Sequence, residues 1–331
     1  MRISEAPGRD SVPGSVVVVG ESLVDVVVDV DRTERRMPGG SPMNVAVGLA
    51  RLGMPTTLLT TFGDDDDGRF IAGHLSSAGV SVAGGSMTPG TRTSTARARL
   101  ARDGSASYEF DLRWDIPPGR GLPAEAVALH TGSLATVIAP GAGRVLELFE
   151  QAGSGVLRSF DPNARPAITP DRATALESVE RFGRHADILK LSDEDAAWLL
   201  PGADHRDVAD WALGLGVGLF AMTRGADGCV LTTARHRVEQ PGIRTRVVDT
   251  IGAGDAFTSA LIAGATRWGL AQSLAAGALE ADEAEALATL AQRAASATVA
   301  RAGAQPPTWA EVVDQGSGSD ADVGHRASSM S

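Results

Sequence analysis

Arg246-Val-Val-Asp-Thr-Ile-Gly-Ala-Gly-Asp-Ala-Phe-Thr-Ser-Ala260 is the stretch on which the fold turns. A short β-branched run, Val247-Val248, enters a glycine turn, Gly252-Ala253-Gly254, and the chain leaves it as a helix. Phe257, Leu261, Ala265 and Trp268 follow at helical spacing, and Gly269 stands where a C-terminal cap is expected. Glycines just before a helix let backbone N–H groups converge on one point, where the helix dipole also favours negative charge. Asp255 falls at that point. Such an anion hole can hold the charge developing on a phosphoryl group while the carboxylate takes a proton from an attacking hydroxyl. A plainer alternative stays open on these residues alone, in which Asp255 caps the helix and the glycines make a tight turn.

Working outward, the 331 residues suffice for a large core, and length alone suggests about two domains. Hydrophobic content of 43% and charge of 21% are ordinary for a soluble globular protein. The formal net charge of −11 argues against a nucleic-acid partner and against an anionic membrane surface. No apolar run approaches the roughly 18 residues that a membrane span needs. Residues 1–14 are polar and hold no apolar signal core, so a cytoplasmic location is expected. Cys229 is the only cysteine, which excludes an internal disulfide and a cysteine-built zinc site; it is expected to be buried and inert. Lys190 is the only lysine and follows Asp-Ile-Leu rather than a glycine loop, so the G-x-x-x-x-G-K-[ST] phosphate loop is absent.

Residues 1–14 and 315–331 are rich in Gly, Ser, Asp and Pro and read as flexible tails. Between them, strand-like and helix-like stretches alternate, which predicts an α/β domain over 15–314 with a mainly parallel sheet. Residues 16–19 are a short apolar run of the buried-strand type. Asp25 then sits inside a β-branched stretch, where a charge is costly unless paired. One reading makes it a strand-edge aspartate; the other lets its carboxylate accept two vicinal hydroxyls of a polyol. In Pro38-Gly-Gly-Ser-Pro-Met-Asn-Val-Ala-Val-Gly-Leu-Ala-Arg-Leu-Gly53, Ser41 reads as an N-cap and Pro42 as the first helical residue. Val45, Leu49 and Leu52 form the buried stripe, Gly53 ends the helix, and Asn44 lies off the stripe near the Gly39-Gly40 turn.

Gly63-Asp-Asp-Asp-Asp-Gly68 suggests a calcium loop, but aligning Gly68 with the loop's glycine puts Gly63 and His74 at its carboxylate positions. A solvated turn opening a helix over 70–78 is expected instead. Residues 91–114 roughly alternate polar and apolar, with Arg102-Asp-Gly-Ser105 as a turn, and read as a hairpin. With residues 23–37 they are expected to form a small sheet standing off the main domain. Strands are then predicted at 128–133, 156–161, 187–191, 218–223 and 229–232, and helices at 143–151, 171–185, 193–200, 207–215 and 281–300.

Gly39-Gly-Ser-Pro-Met-Asn-Val-Ala-Val-Gly-Leu-Ala-Arg-Leu-Gly53 and Asp249-Thr-Ile-Gly-Ala-Gly-Asp-Ala-Phe257 together resemble the signatures of the ribokinase-like (PfkB) carbohydrate kinases. The likeness extends over about residues 16–313. Gly20-Glu-Ser-Leu-Val-Asp25, His130-Thr-Gly-Ser-Leu-Ala135, Phe160-Asp-Pro-Asn-Ala-Arg165 and Leu189-Lys-Leu-Ser192 make it most similar to the fructokinase and 2-keto-3-deoxygluconate kinase branch. The resemblance implies a three-layer α/β/α domain with a small β-sheet lid from about 23–37 and 91–114. It implies ATP as phosphoryl donor and a sugar as acceptor.

Residue by residue, the resemblance makes Asp255 the general base and Gly252, Ala253 and Gly254 the anion hole. Asp25, Gly39, Gly40 and Asn44 would hold the sugar, and Arg165 would reach the sugar or its transferred phosphate. Thr223, Gly225, Gly228, Gly252 and Gly254 would line the nucleotide site, with Ala302, Gly303 and Gln305 near the adenine. Asp249 and Ile251 match positions that bind a monovalent cation, such as K+, in many members. The family commonly has a glutamate that organises hydrated Mg2+ where this chain has Asp195, one methylene shorter and next to Glu194. A homodimer paired through the lid is also implied. Fructose is the expected substrate, with 2-keto-3-deoxygluconate, ribose or a nucleoside as alternatives and a non-catalytic sugar-binding regulator as a remote one. A dinucleotide-dependent oxidoreductase is disfavoured, because no G-x-G-x-x-G follows the first strand.

Overall fold

The computed structural model describes residues 14–101, 106–116, 120–169 and 171–314. Residues 1–13 and 315–331, read above as tails, and the turn at 102–105 lie outside them. β1 (Ser15–Val19) is apolar and buried after its first residue, as a strand covered on both faces must be. The chain then makes β2 (Leu23–Val28) and β3 (Glu34–Gly39) and enters α1 (Ser41–Arg51). Next come β4 (Thr56–Leu59), β5 (Phe62–Gly63), α2 (Asp66–Ser77), β6 (Ser81–Val82) and β7 (Met87–Thr88). The hairpin β8 (Ser94–Leu100) and β9 (Ala106–Asp111) joins β2 and β3 in a four-stranded sheet of order β3-β2-β8-β9.

From β10 (Ala126–Gly132) onward, helices alternate with strands. These are α3 (Gly141–Gln151), β11 (Leu157–Asp161), α4 (Arg172–Gly183), β12 (Ile188–Ser192), α5 (Asp193–Leu199), α6 (His205–Gly214) and β13 (Leu219–Thr223). β14 (Cys229–Thr232) and β15 (Arg237–Gln240) fold back antiparallel. Helices α7 (Ala253–Arg267), α8 (Ala271–Ala275), α9 (Ala281–Val299) and α10 (Trp309–Val313) complete the domain. The main sheet has nine strands in the order β15-β14-β13-β12-β11-β10-β1-β4-β6, and every pair from β13 to β6 is parallel.

Two apolar clusters cover its faces. Val16, Val18, Leu157 and Ile188 pack with α1, α7 and α9; Val17, Val19, Leu129 and Phe160 pack with α3 to α6. The alternation of apolar runs predicted the α/β domain, and the resemblance implied the three layers that these clusters build. Among the described residues, no helix is long and apolar enough to cross a membrane. Cys229 is buried, and burial pushes its thiol up to about 12.

Several local expectations shift. Val247 and Val248 form no strand; they are 62% and 54% exposed on a segment where Val248 N–H donates to Val299 O at 2.8 Å. α1 begins at Ser41 itself, with Gly40 as its N-cap. α2 begins at Asp66 rather than residue 70, because Asp65 caps it by accepting from Gly68 N–H at 2.8 Å. Asp65 also accepts from Thr93 N–H and Oγ1, at 2.9 and 2.5 Å, so the aspartate run anchors the start of β8 instead of merely facing water.

Candidate active site

The parallel strands β1, β10, β11, β12 and β13 end together at Val19, Gly132, Asp161, Ser192 and Thr223. The crevice outside such carboxyl ends is where an open α/β sheet binds its ligands. Two helices also begin there, α7 after Gly252 and α1 after Gly40. Gly252 holds the left-handed conformation, φ 77°, and a Cβ on it would lie 2.6 Å from Ala304 Cβ. Only glycine lets the 302–305 loop close onto the turn. Gly40, at φ 109°, likewise passes the backbone of Glu21, whose carbonyl oxygen lies 2.6 Å from the place of a Cβ.

Asp255 is the third residue of α7 and caps nothing. Its Oδ1 accepts from Ser41 Oγ at 2.6 Å and its Oδ2 from Asn44 Nδ2 at 2.9 Å. Both donors belong to the first turn of α1, so the simple capping alternative is set aside. Ser41, expected as an N-cap, spends its hydroxyl on Asp255 instead. Burial raises the Asp255 pKa, opposed by the bonds from Ser41 and Asn44. A carboxylate fixed on one lone pair per oxygen keeps others for a substrate proton.

Asp25 lies on β2 with its Oδ2 in the space that a Cβ on Gly39 would need. Among the described residues nothing hydrogen-bonds to its carboxylate, and burial raises its pKa to about 6, opposed by the charge of Arg165. Arg165 is exposed on the loop after β11 and donates from Nη1 to Ala164 O at 3.2 Å. Asp195 closes a capping box with Ser192 at the start of α5, and its Oδ1 accepts from Ala164 N–H at 2.9 Å. It therefore ties the Arg165 loop to β12. Asp249 bridges two loops, accepting from Ile251 N–H at 3.0 Å and Gly303 N–H at 2.8 Å. Those backbone bonds hold its pKa below the usual carboxylate range. Thr223 ends β13; Gly225 and Gly228 flank the short turn into β14.

Sequence reasoning left three buried groups unassigned. Lys190 Nζ lies 2.9 Å from Asp161 Oδ2, and both side chains are almost fully buried. Opposite charges inside two apolar strand runs were the available signal, since neither is tolerable alone. Glu21 is the third. Its Oε2 accepts from Ala135 N–H at 3.0 Å, and burial raises its pKa to about 7.

A model of the pfkB family of carbohydrate kinases matches residues 14–311. A fructokinase of Rhizobium leguminosarum bv. trifolii is 31% identical over 261 residues, covering 75% of this chain and 78% of that protein. The crystal structure of a fructokinase with bound ATP from Xylella fastidiosa superposes with a TM-score of 0.78 at 25% identity, covering 90% of this chain and 97% of the other. A fructokinase double mutant from Vibrio cholerae O395, solved with fructose, ADP and a potassium ion, superposes with a TM-score of 0.73 at 24% identity, over 92% and 98% of the two chains. The fold is thus the ribokinase-like one, and this chain belongs to the pfkB family of carbohydrate kinases.

Proposed function

We propose that this chain transfers the γ-phosphoryl group of ATP to the primary hydroxyl of fructose. The observation that carries the reading is the Asp255 carboxylate, clamped by Ser41 and Asn44 beside the Gly252-Ala253-Gly254 turn. The sugar hydroxyl gives its proton to Asp255 as its oxygen attacks phosphorus in line and the bond to ADP breaks. The N–H groups at the start of α7 face the charge that spreads over the equatorial oxygens. Asp25 carries an uncommitted acceptor for sugar hydroxyls beside Gly39, and Gly40 and Asn44 are proposed to complete the sugar side. Thr223, Gly225, Gly228, Ala302, Gly303 and Gln305 are the proposed nucleotide side, supported by the contact of the 302–305 loop with Gly252.

Among the described residues, no three His, Cys, Asp or Glu side chains converge as a metal cage. Magnesium carried by ATP keeps most of its waters and needs none. Asp195 retains a lone pair on each oxygen and would hold such a water. When bound, the ion supplies positive charge to the phosphate oxygens. Asp249, kept anionic by its backbone bonds, would hold a monovalent cation with the carbonyl of Ile251.

A homodimer through the small sheet is part of this reading. Tyr108, 63% exposed, stacks on Phe110 along the edge strand β9, an apolar patch that a second lid would cover. Sedimentation at micromolar concentration should show a dimer, and a monomer alone would contradict it. The test of the activity is ADP release over a sugar panel. Fructose should have a higher kcat/KM than ribose, adenosine or 2-keto-3-deoxygluconate. A tenfold preference for one of those would overturn the fructose reading, and no release with any sugar would overturn the kinase.

A further inference from the structure

Lys190 lies in β12 between Leu189 and Leu191 and is 4% exposed. An ammonium in such a place is costly unless paired. Its Nζ donates to Asp161 Oδ2 across 2.9 Å, and the same oxygen accepts from Thr258 Oγ1 at 3.2 Å. The ion pair therefore couples two neighbouring strands to the second turn of α7. It also reaches the first turn, because a Cβ on Gly254 would lie 3.3 Å from Lys190 Nζ. Asp255 is the next residue.

We propose that Lys190 is a positioning residue for phosphoryl transfer: through Asp161 and Thr258 it holds the start of α7, with its ammonium against Gly254, next to Asp255. This rests on Asp255 being the general base. The charge arithmetic supports it independently of sugar identity. Burial works against the Lys190 charge, but Asp161, Asp195 and Asp255 outweigh it and keep the ammonium above its usual range. Asp255 faces Ser41 and Asn44 of α1, Asp161 of β11 and Lys190 of β12; the negative Asp161 raises its pKa and the positive Lys190 lowers it. His130 of β10, near Lys190, adds no charge, since burial depresses its pKa to about 3. Without Lys190, two buried carboxylates would compete for one proton, and the base would be the group at risk.

The two members of the pair should therefore move the acid limb of kcat in opposite directions. Lys190→Met should shift the limb up by about one pH unit or more, so that kcat falls about tenfold at pH below the wild-type limb and recovers at higher pH. Asp161→Asn, which keeps shape and removes the repelling charge, should shift it down. A purely architectural role would lower kcat in both variants with the limb unmoved. Direct contact of Lys190 with the transferred phosphoryl would raise the KM for ATP with the limb unmoved. Either result overturns the proposal. Should Lys190→Met not fold, Lys190→Gln, which keeps a hydrogen-bond donor for Asp161 without the charge, decides: an upward shift supports the role and an unmoved limb removes it. Asp255→Asn assayed alongside keeps the two readings apart. If that variant is fully active, the general base itself is wrong; if it is inactive while the limbs stay unmoved, only the role of Lys190 is lost.

Discussion

The two faces of the central sheet are built from alternate residues of the same strands, yet they do different things. Leu129, Phe160, Leu189 and Leu191 join an apolar cluster under α3 to α6. Their neighbours His130, Ser159, Asp161 and Lys190 alternate with them and face the side that α7 covers. The period of two in a strand makes this separation possible. Polar groups on the second face are buried as deeply as the leucines on the first, with His130, Ser159 and Asp161 no more than 1% exposed. Buried ion pairs contribute little to stability for their cost in desolvation. Both faces thus hold the fold through apolar clusters, and the second also carries the buried polar groups that set the start of α7 at the carboxyl ends of the strands.

Substitutions can break this division of labour. The largest expected effect lies on the face under α3 to α6. Phe160→Ala should destabilise the protein by about 3–5 kcal/mol, as a fully buried phenyl ring is lost. Thermal melts with kinetics on the folded fraction check it, and a changed sugar KM at constant stability would show that the faces are not separate.

Asp25→Ala should cost less and in another currency, raising the sugar KM about 10- to 100-fold with a smaller change in kcat. Its pH behaviour is fixed in sign. The carboxylate is the accepting form and its pKa stands near 6, so sugar affinity should be full above that value and fall as pH drops through it. A sugar KM that stays flat from pH 8 to pH 5 would deny Asp25 this role.

The smallest effect belongs to the small sheet. Arg36 on β3 pairs with Asp67 on α2 at 2.5 Å, with 40% and 21% of the two side chains exposed. An exposed pair of this kind contributes about 0–1 kcal/mol. Arg36→Ala should leave the melt nearly unchanged and move the sugar KM by no more than a few-fold. A tenfold change would show that the pair sets the position of the small sheet over the crevice.

The apolar cores on both faces were largely legible in the sequence, because strands buried on two sides write themselves as short β-branched runs such as Val16-Val17-Val18-Val19. The start of α7 was legible too, down to Gly252 and the Gly269 stop, since glycine and helical spacing are local signals. The contacts that define the site were not. Ser41 and Asp255 meet across 214 positions of sequence, so local rules assigned the serine to its own helix and left the aspartate's partners open. Val247-Val248 has strand chemistry but no neighbouring strand to pair with. Lys190 was informative in the sequence through the glycine loop it lacks and as part of Leu189-Lys-Leu-Ser192, neither of which named a partner for its charge. Its role depends on Asp161 in a strand that becomes adjacent on folding.

The proposed mechanism stands on Asp255 acting as a general base rather than as a cap or an architectural carboxylate. Steady-state kinetics of Asp255→Asn beside its thermal melt test it most directly. The amide keeps the shape and the acceptor for Ser41 but cannot take the proton. We expect a folded protein whose kcat falls on the order of 10²-fold or more while the KM for ATP stays within a few-fold. A folded variant with unchanged kcat would contradict the account.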